Sequence, residues 1–111
     1  MERENFNQVI ESIVDRSLSM LVKKNEEYTA GSPNPFEGFD HTSDITQTNR
    51  FDVLRHLMVK HTSSIYKLLD EAAKGKSLDL DLVQEKVTDH INYLLFFEAM
   101  IHELKSTNLG L

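Results

Sequence analysis

Between residues 51 and 72 the apolar side chains keep one unbroken rhythm. Phe51, Leu54, Met58, His61, Ile65, Leu68 and Ala72 follow one another at alternating steps of three and four. Such steps return to one side of an α-helix at about 3.6 residues per turn, and to no single face of a strand. The spacing predicts a long helix from Asn49 to Ala73 whose inner line is the seam of a helical bundle. Gly75-Lys76-Ser77 supplies its stop.

Two further helices follow from the same reasoning. Asn5 with Gln8 forms a capping pair, and Phe6, Val9, Ile10, Ile13, Val14, Leu21 and Tyr28 recur at helical spacing behind it. Gly31, Pro33 and Pro35 end this first helix near Tyr28. Asp81 with Gln84 starts a last helix over 82–104, with an inner stripe of Val83, Val87, Ile91, Leu94, Ile101 and Leu104. Tyr93, Phe96, Ala99 and Met100 lie off that stripe, so this helix needs cover on a second side, and a second subunit is the simplest source. Residues 29–48 read as a long loop anchored by Phe36 and Phe39, and residues 106–111 as a frayed tail. The expected architecture is all-α: one domain over 1–111, a bundle of three long helices, and a homo-oligomer.

Composition narrows the function. The net charge is −6 and the pI about 5.3, which argues against a nucleic-acid duplex as partner, because phosphate backbones are met by basic faces. The chain has no cysteine, so thiolate metal sites and disulfides are excluded. The longest apolar run, Tyr93–Phe97, is far too short for a bilayer, and residues 1–5 lack the pattern of a secretory leader. A cytoplasmic protein is expected.

Several polar side chains are grouped by helical geometry. Glu85, Asp89 and Asn92 share a strip opposite Val87 and Leu94 and run into Phe96. Carboxylates four apart can hold a hard cation, or simply favour a helix N-terminal half. His56, Lys60, Ser63 and Lys67 share a strip on the second helix that is either a phosphate-facing row or a solvated face. Lys24 and Tyr28 point toward the apolar side of the first helix, where a lysine either snorkels or enters a pocket. His61 and His90 read as hydrogen-bonded core histidines.

The runs Lys24-Asn25-Glu26-Glu27-Tyr28, Asn34-Pro35-Phe36-Glu37-Gly38-Phe39 and Asp89-His90-Ile91-Asn92-Tyr93, with Lys60 between them, resemble small phage and bacterial relatives of the MazG-like all-α nucleoside triphosphate pyrophosphohydrolases over residues 20–103. The resemblance implies a helical, oligomeric protein in which facing acids bind Mg²⁺ and water releases pyrophosphate from a triphosphate. It places Glu85 and Asp89 as metal ligands and Lys24, Tyr28, Lys60 and Asn92 as contacts to a nucleotide or similar phosphorylated ligand. Val59 stands where such relatives often carry Asp, Lys86 replaces an expected acid, and the second helix lacks Glu-x-x-Glu. A magnesium-dependent hydrolase, a non-catalytic nucleotide-sequestering protein and a structural interaction module therefore remain open.

Overall fold

The computed structural model describes residues 1–109 and is all-helical, with no strand among them. The elements are α1 (Arg3–Thr29), α2 (Glu37–Thr46), α3 (Arg50–Ala73) and α4 (Leu80–Leu109). α4 lies along both α3 and α1, and α2 packs mainly on α3.

The second long helix forms as the spacing requires. Asn49 caps it: its Oδ1 accepts from the Asp52 backbone N–H at 3.0 Å, and its Nδ2 donates to the Asp52 carboxylate at 2.9 Å. At the far end Gly75 takes φ +78°, its N–H bonds the Ala72 carbonyl and the Lys76 N–H bonds that of Glu71. That pair is the Schellman closure that a glycine permits. Leu54 is buried on the expected seam, and Phe51 and Met58 pack against the core.

Four expectations are corrected. The loop over 29–48 contains a ten-residue helix, α2. Gly38 and a run of Thr, Ser and Asp depress its local propensity, and tertiary contacts override this: Phe36 is buried at its N-cap and Phe39 packs against the same cluster. The first helix starts at Arg3 rather than Asn5, without a side-chain cap. The last helix starts at Leu80, because the Asp79 carboxylate accepts from the Asp81 N–H at 3.0 Å. It runs on through 106–109, so that part of the expected frayed tail is helical; residues 110–111 lie outside the described residues.

The fourth correction concerns which way α4 faces. Its most buried line is Thr88, Asn92 and Met100, with Phe96 and Tyr93 packed against the core. The surface reserved for a second subunit is thus filled from within the chain, except at Ala99, which stays exposed. Leu94 and Leu104 of the expected inner stripe are exposed instead. Two contacts accompany this facing. Arg16 Nε of α1 donates to Thr88 Oγ1 at 3.0 Å, a polar contact that a hydrophobic stripe does not count, and Met100 is buried with Phe36 and Leu54.

Among the described residues only Phe36, Leu54 and Met100 form the buried apolar core, at 4, 3 and 0% exposure. On the outer side of α1, Ile10, Val14, Leu18 and Val22 form a row at steps of four, each 42–54% exposed.

Candidate functional site

A cavity of about 380 Å³ opens between α1, α2 and the middle of α4, with Val53 and Leu57 of α3 on its wall. Its apolar lining includes Leu21, Phe39, Tyr93 and Phe96, and its polar groups include Lys24, Asn25, Asp89 and Asn92. A largely apolar hollow of this size with a few convergent polar groups is the usual form of a small-ligand site.

The Asn-Pro-Phe segment builds the α2 wall. Asn25 Nδ2 of α1 donates to the Pro35 carbonyl at 2.7 Å. Asn34 Oδ1 accepts from the Phe36 N–H at 2.9 Å, and its Nδ2 donates to Asp40 Oδ2 at 2.9 Å. Asp40 in turn takes both arms of Arg50, from Nε at 2.9 Å and Nη2 at 2.7 Å. The Arg50 guanidinium also lies 4.7 Å from the Phe36 ring centroid and reaches Glu103 at 3.3 Å. The Arg50 bond holds the Asp40 carboxyl below the usual range, against a smaller opposing effect of burial. Phe39 then meets Phe96 edge-on at 5.0 Å between centroids, which sets two aromatic rings in the cavity wall.

One side of the cavity carries a polar chain. Lys24 Nζ lies 3.9 Å from Asp89 Oδ1, and His61 Nδ1 lies 4.0 Å from Asp89 Oδ2. His61 Nε2 and the Tyr93 hydroxyl are 3.4 Å apart. Burial lowers the His61 pKa; Asp89 opposes this, and Lys86, His90 and Lys60 add to it. Burial raises the Tyr93 pKa, with Asp89 and Tyr28 adding to the effect. Asn92 is 8% exposed, and its Oδ1 has no hydrogen-bond partner.

The sequence-derived candidates divide. Lys24, Tyr28, Asp89 and Asn92 come together on the cavity, with Tyr28 on its rim at 76% exposure. Lys60 does not join them: it is exposed and lines no part of this cavity. It precedes His61 by one residue, about 100° round the helix, so burial of the His61 side turns Lys60 outward. His56, Ser63 and Lys67 are exposed with it. Glu85 is also exposed and meets Asp89 in a shallow hollow faced by Arg16 and Lys24 of α1. Sequence reasoning missed Asn25, Thr42, Val53 and Leu57; the α2 register that brings in Thr42 carried no periodic signal.

The donor set does not fit a resident Mg²⁺. No three His, Asp or Glu side chains gather as a metal group among the described residues, and Asp89 already has the Lys24 ammonium beside it. A hard cation needs several oxygens and little competing positive charge. No helix among the described residues is long and apolar enough to cross a membrane. No protein-family model, curated protein or solved structure was found to match the chain.

Proposed function

We propose that the protein binds a nucleotide, or another small ligand joining a planar ring to phosphate, in the cavity between α1, α2 and α4. The observation that carries this reading is the pairing of aromatic walls, Phe39, Tyr93 and Phe96, with the ammonium of Lys24 on one cavity. Aromatic faces hold a flat ring, and a lysine meets phosphate as a point charge. Asp89 keeps Lys24 near the cavity until an anion replaces it, and Asn92 offers an amide to a ring edge. Binding without hydrolysis is favoured over pyrophosphate release, because no group of acids able to hold metals is assembled among the described residues. Calorimetry with nucleoside triphosphates, with and without Mg²⁺ and with pyrophosphate assayed in parallel, tests it. Saturable binding is expected, weakened in Lys24→Ala by about 1.5–3 kcal/mol for a lost charge-assisted bond and little changed in Lys60→Ala. Equal affinity of wild type and Lys24→Ala removes the phosphate from this end of the cavity.

We further propose that the chain self-associates, through α1 rather than through the Tyr93–Met100 surface. The motive is the row Ile10, Val14, Leu18 and Val22, which stays exposed while the intramolecular core is small. A row at steps of four suits ridge-into-groove packing against a like helix. Leu18→Asp should convert a wild-type dimer to monomer in sedimentation velocity without loss of helical circular dichroism. A wild type that sediments as a monomer at high micromolar concentration rejects this.

A further inference from the structure

His61 was expected only to fill the α3 seam, and its surroundings give it more to do. A neutral imidazole carries one N–H and one lone pair, and its neighbours decide which nitrogen has which. Nδ1 is buried, has no hydrogen-bond partner, and faces Asp89 Oδ2 at 4.0 Å. A lone pair there would oppose the carboxylate; a proton there is attracted to it. Nε2, at 3.4 Å from the Tyr93 hydroxyl, is then the acceptor. The charged and titratable groups acting on His61 are Lys60 from its own helix and Asp89, Lys86 and His90 from α4, while Lys24 of α1 shares Asp89. Burial is the largest influence and lowers the His61 pKa; Asp89 opposes it, and Lys86, His90 and Lys60 add to the lowering.

We infer that Asp89 and His61 hold the Tyr93 hydroxyl as a donor to His61, leaving its oxygen free only as an acceptor, so that the cavity selects a ligand presenting an N–H or O–H to Tyr93. The first half stands on geometry alone; the second rests on the ligand-binding reading above. His61 is a positioning residue here, and Tyr93 determines specificity. Protonation of His61 in acid would place N–H groups on both ring nitrogens, make the Tyr93 oxygen accept from Nε2–H, free its O–H to donate to a ligand, and reverse the preference.

Long-range proton–nitrogen NMR on the full-length chain at mildly alkaline pH reads the tautomer directly, with His61 assigned by its absence in His61→Gln. The expected spectrum has the proton on Nδ1 in wild type and a shift toward the Nε2–H form in Asp89→Ala. A wild-type proton on Nε2, or no change in a folded Asp89→Ala protein, overturns the positioning half. The ligand half is read by titrating ribonucleoside triphosphates into wild type and Tyr93→Phe. A loss of about threefold to tenfold in affinity is expected for one neutral hydrogen bond. Unchanged affinity overturns the ligand half alone. Failure of wild type to bind any of these nucleotides removes the ligand-binding reading, and with it the ligand half, whereas the tautomer result still decides the role of Asp89 and His61.

Discussion

Phe36→Ala is expected to cost about 3–5 kcal/mol of unfolding free energy, the range for truncating a buried aromatic. The ring is one of three buried apolar side chains among the described residues, meets Phe96 edge-on at 6.2 Å between centroids, and carries the Arg50 guanidinium on its face. It also occupies the N-cap position of α2. Removing it leaves a void at the junction of α2, α3 and α4 and frees the end of the short helix. Small domains hold about 5–15 kcal/mol in all, so the change should move the urea midpoint by a large fraction of its value with little change in slope. Phe36→Leu should recover much of the loss. A penalty below about 1 kcal/mol for Phe36→Ala would show that α2 does not depend on this plug.

Arg50→Ala should cost about 1.5–3 kcal/mol, the range for hydrogen bonds to charged groups, since it leaves the partly buried Asp40 carboxylate without its two-armed partner. The pH dependence separates the ion pair from lost packing. The folded pKa of Asp40 lies below its ordinary value of 3.8, chiefly through the Arg50 hydrogen bond. Its contribution is therefore complete above that value and is lost as pH falls through the lower, folded value. The stability gap between wild type and Asp40→Asn should be constant at neutral pH and shrink steadily below about pH 4. Chemical denaturation across that range measures it, and a gap independent of pH would assign the effect to shape alone.

The long helices were legible as elements because apolar residues recur along them at helical spacing, but the direction of the seam was legible only for α3: Phe6, Val9, Ile10, Val14 and Tyr28 of the expected α1 stripe are exposed. The line from Phe51 to Leu68 turned inward as its spacing required, and the Gly75 stop fell in place. α2 was not legible: most of its residues are poor helix formers, and what orders them is a phenylalanine plug immediately before the helix and an arginine four residues after it. α4 was turned because hydrophobicity cannot recognise Thr88 and Asn92 as interior residues; Arg16 of α1, far away in sequence, bonds the first of them, and the Phe36–Leu54 cluster covers Met100 further along the same line. In the candidate site, Lys24, Asp89 and Asn92 could be named because helical geometry puts them on definable faces. The link from Asp89 through His61 to Tyr93 could not, since it depends on how α3 is set against α4.

Phe39 and Phe96 face two ways, toward the hollow and toward the small core behind it. Ligand size and folding are consequently traits that cannot drift apart. A smaller residue at either position would admit a bulkier guest, yet it would loosen the attachment of α2 to the bundle by the same stroke. Any change in what this pocket accepts would need a compensating gain elsewhere in the chain, and a second hollow, between α1 and α4 and lined by Val9, Ile13, Val83 and Val87, is where there is room for one.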